Sequence, residues 1–210
     1  MYSNPLLPGQ YYHLYNHAVG NENLFRQPAN YQFFLDRYRS YIFPIARTYA
    51  YCLMPNHFHL LVQIREEAEL INHNRQLKKR PSEQKDSLLD VSSFVMQQFS
   101  NFFNSYAKAF NRRFDRKGAL FLDYLRRKPV ETEAYFTTLM VYIHRNPIHH
   151  GFCQNVNDWV YSSLHSISSS KSTRLERNAV LDWFGGVEPY LAFHEQNCII
   201  PTDEDWEFGD

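Results

Sequence analysis

A chain of 210 residues that is 44% apolar and 17% aromatic can hold one packed domain plus an appendage, and it is too apolar to be disordered. No run approaches the roughly 20 apolar residues that cross a bilayer, the first ten residues lack the pattern of a secretion signal, and three scattered cysteines (Cys52, Cys153, Cys198) predict reduced thiols in the cytoplasm. The net charge of zero hides a division: residues 182–210 carry eight acidic and no basic side chains, leaving 22 basic against 14 acidic residues before them, a balance that suits a polyanionic partner.

Residues 11–19 are Tyr-rich, alternate polar with apolar positions and predict a first strand. Beyond a Gly-Asn-Glu-Asn loop, residues 31–45 set Phe33, Phe34, Tyr38, Tyr41 and Ile42 at helical spacing. Residues 47–53 and 57–64 read as strands of a hairpin turned by Met54-Pro55-Asn56. Residues 65–89 are charged, lack apolar periodicity and predict an exposed, mobile insertion. Asp90 is placed to cap a helix whose stripe is Val91, Val95, Phe99, Phe102, Phe103, Tyr106 and Phe110. A basic loop around Gly118 leads to a strand at 124–130. Glu131 and Glu133 then suit the first turn of another helix, expected to stop at Asn146 because proline pushes the residue before it out of helical geometry.

The order β-α-β-β-α-β-α is an α+β, ferredoxin-like βαββαβα pattern. The core is expected over residues 1–152. Residues 153–210, with Trp159, Tyr161, Trp183 and Tyr190, suggest a C-terminal helical appendage packed on it.

Two places carry chemistry. In residues 57–64, strand alternation puts Phe58, Leu60, Val62 and Ile64 on one apolar face, with His57 and His59 together on the other, roughly 6 to 7 Å apart. Two imidazoles on a rigid strand can chelate one divalent ion, or they can be two polar residues on a solvated face. In the last core helix, Tyr142 and Asn146 are four apart and share a face. Beside a metal-bound phosphate, a tyrosine can act as an in-line nucleophile and an amide oxygen can complete the metal set. Otherwise Tyr142 packs and Asn146 ends the helix. Tyr106, nearer the histidines in sequence, falls on an apolar stripe and reads as structural. Among the remaining histidines, His144 is expected on the opposite side of the helix, and His149 and His150 in a turn where they could touch phosphate or be solvated; His13 and His17 on the first strand could border the site, and neither is assigned to it.

Met54-Pro55-Asn56-His57-Phe58-His59-Leu60-Leu61 with Tyr142-Ile143-His144-Arg145-Asn146-Pro147 resembles the single-tyrosine HUH transposases of insertion sequences, and among them the REP-associated tyrosine transposases. In that branch a basic segment like Asn111-Arg112-Arg113 to Gly118-Ala119-Leu120-Phe121 separates the two motifs. The likeness covers roughly residues 10–165. It implies a ferredoxin-like core around a central antiparallel sheet, His57, His59 and Asn146 as ligands of Mg²⁺ or Mn²⁺, and Tyr142 as nucleophile. Related enzymes often have Gln at the third ligand position. The implied activity is cleavage and rejoining of single-stranded or hairpin DNA through a covalent 5′-phosphotyrosine, as monomer or homodimer. Arg112, Arg113, Arg116, Lys117, Arg126, Arg127 and Lys128, in the densest basic stretch, are the expected phosphate contacts. Phe121 and Tyr124 are placed either to stack on unpaired bases or to pack in the core. The long segment 65–89 and the acidic C-terminal end depart from the family pattern. The alternative is a non-catalytic nucleic-acid-binding module of the same fold.

Overall fold

The computed structural model describes residues 5–78, 89–122 and 125–196. Its elements are β1 (Tyr11–His17), α1 (Pro28–Tyr41), β2 (Ala46–Leu53), β3 (His57–Ile64), α2 (Glu67–Lys78), α3 (Val91–Arg113), β4 (Arg126–Pro129) and α4 (Glu133–His149). A 3₁₀ turn (Val156–Asp158) and three short helices follow: α5 (Leu164–Ser168), α6 (Arg177–Phe184) and α7 (Val187–Glu195). The four strands form one antiparallel sheet in the order β2-β3-β1-β4. This is the ferredoxin-like α+β core expected from the element order. Among the described residues no helix is long and apolar enough to cross a membrane.

Alternation along β1 and β3 builds two different faces. On one, Tyr12, Leu14, Phe58, Leu60, Val62 and Ile64 are buried against the aromatic stripes of α1 and α3. Asp90 begins α3 as expected, its carboxylate accepting from the Ser93 amide at 3.1 Å. The register pairs His13 with Leu61, Tyr15 with His59 and His17 with His57, so these side chains share the second face. A bulge between Thr48 and Ala50 adds one residue to β2, so that Tyr49 joins Ala50 and Cys52 against that face. α4 and the appendage cover it: Phe136, Leu139, Met140, Tyr142 and Ile143 pack with Val156, Leu164, Ile167, Val180 and Tyr190 in one core.

Two expectations are corrected. The segment 65–89 is not wholly an exposed insertion: Glu67–Lys78 is a helix that buries Leu70 and Asn74. Its apolar face is only about one residue wide per turn, too thin to register as a periodic stripe. Its charges favour it, with Glu67 and Glu69 in the first turn and Arg75 and Lys78 in the last. Residues 79–88 lie outside the described part. Secondly, α4 does not stop at Asn146 but continues through Pro147 to His149. Proline's preference is local, and here Asn146 and Pro147 are buried, while the His150 amide donates to Asn146 O and the Phe152 amide to Pro147 O. Tertiary burial and these terminal bonds hold the extra turn. Of the fourth strand expected at 124–130, Arg126–Pro129 forms, and Tyr124 lies outside the described part. Of the expected appendage, the described residues form short helices that pack on the core, and residues 197–210 lie outside the described part.

Candidate functional site

His57 and His59 lie on the second face of β3, and both are buried, at 1% and 0% exposure. They are therefore not on a solvated strand face. α4 crosses above them and brings Tyr142 and Asn146, both fully buried, to the imidazole pair. Asn146 Oδ1 is 2.9 Å from His57 Nε2. The Tyr142 ring stands edge-on to His59, 5.6 Å between centroids and 80° between planes. The His57 and His59 rings are themselves 5.2 Å apart and nearly perpendicular. Side chains separated by 89 positions in the sequence thus share one interior space.

The hydrogen bonding of His57 is over-supplied with acceptors. Its Nδ1 is 2.8 Å from Asn56 Oδ1 and its Nε2 is 2.9 Å from Asn146 Oδ1. Both oxygens only accept, whereas a neutral imidazole has one N–H. One contact therefore asks for positive charge, either a second ring proton or a metal ion between nitrogen and oxygen. Two donors about 2.1 Å from an octahedral ion sit roughly 3.0 Å apart, so the observed separation fits adjacent ligands. The Asn146 Nδ2 atom is buried without a hydrogen-bond partner among the described residues. Turning the amide over would set that group on His57 Nε2 and satisfy both, an arrangement open to a metal-free site. Among the described residues no three His, Cys, Asp or Glu side chains are grouped to hold a metal ion by themselves. The residues that could hold an ion here are His57 and His59 together with the Asn146 amide oxygen.

More imidazoles border this space than motif reading assigned. His13 Nε2 is 2.9 Å from His59 Nδ1, the His17 ring lies 4.5 Å from that of His57, and His150 approaches His57 at 4.8 Å. The His149 ring is 6.2 Å from Tyr142. The signal for His13 and His17 was their parity on β1 once that strand is set beside β3, which the ferredoxin-like order does. His149 and His150 arrive because α4 runs past its proline.

The basic residues divide. Arg126 and Lys128 pair with Tyr15 and His13 across the β1–β4 ladder and so share the site's face. Arg127 belongs to the other face, where its guanidinium meets Met96 of α3 and burial pushes its pKa down. Arg112, Arg113 and Lys117 are exposed. Arg116 is spent on the fold: it ion-pairs with Glu22 at 2.9 Å and donates to Asn111 Oδ1 and to the Ala119 carbonyl. The loop it braces ends beside His17, whose carbonyl accepts from the Leu122 amide at 2.9 Å. Phe121 packs against Phe58, Phe103 and Tyr106 at the edge of the core, while Tyr124 lies outside the described residues.

Two aromatic and imidazole groups are structural. The Tyr106 hydroxyl donates to the Leu24 carbonyl at 2.5 Å in the opposite core. His144 points away from the site, as its position two residues from Tyr142 predicts, and is bonded to His194 and Ser163.

No family model matches the chain. A Haemophilus influenzae protein assigned as a REP-associated tyrosine transposase is 25% identical over 120 residues, which are 56% of this chain and 58% of that protein. The chain therefore spans less than two thirds of this relative. Among solved structures, a REP-associated tyrosine transposase bound to a REP hairpin shares the fold with a TM-score of 0.52 and 14% identity. The superposition covers 79% of this chain and 83% of the other. In sequence and in fold, the chain is similar to the REP-associated tyrosine transposases.

Proposed function

We propose that this chain is a DNA transposase that cleaves and rejoins single-stranded DNA next to a hairpin, with Tyr142 as nucleophile and a divalent ion, Mg²⁺ or Mn²⁺, at His57, His59 and Asn146. The observation that carries the reading is the meeting of the β3 imidazole pair with the α4 residues, His57 Nε2 at 2.9 Å from Asn146 Oδ1 and the Tyr142 ring against His59. When bound, the ion neutralises phosphate charge and stabilises the charge that develops on transfer.

The chain's own residues do the rest. The sheet and α4 hold the phenol and the ligand set on two rigid elements, so the phosphate meets both in one geometry. The phenolic oxygen forms a bond to phosphorus as the bond from phosphorus to the 3′-oxygen breaks. The phenolic proton ends on the departing 3′-oxygen, and the 5′ end stays on the protein as a phosphotyrosine. A 3′-hydroxyl can reverse the step, so the phosphodiester bond is conserved and no ATP is consumed. Arg126 and Lys128 lie on the same face and are placed to track phosphates. The comparison protein bound to a REP hairpin supports the choice of a hairpin substrate.

One observation favours the alternative of a binding module without catalysis. Tyr142 is completely covered in this conformation, so a phosphate reaches it only after neighbouring groups move. The two readings separate on a denaturing gel, after incubating the protein with end-labelled single-stranded hairpin DNA and Mn²⁺. Transfer of a 3′-end label onto the protein, abolished by EDTA, is the expected result. Intact DNA with retained binding would leave a binding module.

A further inference from the structure

His13 has no place in the motifs that define the site, yet its side chain lies directly against one of the proposed ligands. It stands on β1 diagonally across the ladder from His59, is fully buried, and puts Nε2 at 2.9 Å from His59 Nδ1. The two rings are close to coplanar, 24° between planes, as an edge-to-edge nitrogen bond requires. Tyr15 lies against both, with centroids at 4.8 and 5.8 Å and tilts of 28° and 23°, so neither ring is free to turn without displacing it.

A single proton joins two neutral imidazoles, so one ring donates and the other accepts. If His13 donated, His59 would carry its own proton on Nε2, the nitrogen pointing away from His13, and that nitrogen would be closed to any cation. If His59 donates from Nδ1, its Nε2 keeps a lone pair. His57 shows which case the site is built for. The Asn56 oxygen beside its Nδ1 can only accept, so that nitrogen bears the proton, and Nε2 faces Asn146. Both strand imidazoles are thus gripped at Nδ1 by a neighbour, Asn56 for one and His13 for the other.

We infer that His13 is the positioning residue of the metal pair: it accepts the Nδ1 proton of His59 and so fixes both the tautomer and the angle of that ring. This rests on the metal reading of the site given above. A ligand imidazole held in this way is more basic and pays less to be ordered, and losing such a partner typically weakens metal binding about 10- to 100-fold. His13 touches neither substrate nor ion in this role and acts through His59 alone.

The test has two parts, both on the full chain. Long-range ¹H–¹⁵N spectra of the metal-free protein labelled at histidine report which ring nitrogen carries each proton. His59 and His13 are both expected as Nδ1–H, with His59 shifting toward Nε2–H in His13→Phe. Calorimetric titration with Mn²⁺ is expected to give about 10- to 100-fold weaker binding in His13→Phe. His13→Gln, which keeps a side-chain acceptor, should recover most of the affinity. His59 found as Nε2–H, or His13→Phe binding Mn²⁺ as tightly as wild type, overturns the role of His13 and leaves the metal site standing. Wild-type protein that takes up no Mn²⁺ overturns the metal reading itself, and the assigned role with it. Should His13→Phe fail to fold, the wild-type spectrum and the His13→Gln titration still decide the matter.

Discussion

Tyr106 and Tyr142 carry the same phenol to opposite sides of the sheet, and their surroundings give them different duties. Tyr106 sits among Phe25, Phe33, Phe34 and Phe121, and burial drives its pKa far up while its proton is committed to the Leu24 carbonyl. Tyr142 lies among imidazoles. Tyr142→Phe is therefore expected to abolish the covalent DNA adduct while leaving hairpin binding in a gel-shift assay intact. Tyr106→Phe should keep the adduct and lower stability by about 1 kcal/mol in urea melts, the worth of one buried hydrogen bond. Adduct surviving in Tyr142→Phe and lost in Tyr106→Phe would reverse the assignment. The distinction between these tyrosines was legible in the sequence, because apolar periodicity marks α3's stripe as core. The partners of His57 and His59 were not, since Asn56 and His13 become neighbours of Nδ1 atoms only through side-chain geometry.

At the scale of elements, β4 is short, and its alternation sorts a run of three cations that composition treats as one cluster. Arg126 and Lys128 face the site, and Arg127 faces α3. Binding of hairpin DNA measured across a salt series should reflect this. Arg126→Ala and Lys128→Ala are each expected to flatten the slope of log affinity against log salt by about 0.7 to 0.9, one phosphate contact apiece. Arg127→Ala should leave the slope unchanged and instead lower the melting temperature. Equal slope changes for all three variants would refute the division by face. α4 makes a related point. Its proline sequence signalled an end that burial overrode, and the additional turn is what carries His149 toward Tyr142 and His150 toward His57.

Across the whole molecule, the appendage is fastened to the face of the sheet that carries His57 and His59 by a buried polar chain as well as by apolar packing. The Tyr190 carbonyl accepts from His194 Nδ1–H, His194 Nε2 accepts from His144 Nδ1–H, and His144 Nε2 accepts from the Ser163 hydroxyl, which itself accepts the Tyr51 amide. Every member needs neutral imidazoles. Burial pushes the pKa of His144 well below its usual value, helped by His194 and His165. Burial also lowers that of His194, to about 4, with Arg145 adding to it against the Tyr190 carbonyl, which opposes the shift. Below about 6.5 the unfolded chain takes up protons that the folded one refuses, so stability is full above that pH and falls as the pH drops toward 4. Each histidine contributes a slope of up to about 1.4 kcal/mol per pH unit in that window. Thermal melts from pH 8 to pH 5 should show this loss, and His194→Gln should melt lower at pH 8 but with a shallower pH dependence. An undiminished slope in that variant would mean the chain of imidazoles is not its source.

The linear sequence determined the order of elements, the two-faced character of β3, the apolar stripe of α3 and the pairing of Tyr142 with Asn146 on one helical face, because each follows from a period of two or 3.6 residues acting locally. Only the tertiary structure decided that β1 lends His13 and His17 to the imidazole pair, that Arg116 and Arg127 are spent internally, and that α4 outlasts its proline. Those outcomes depend on which surfaces are buried against one another, and burial is a property of the packed chain that no short window of residues contains.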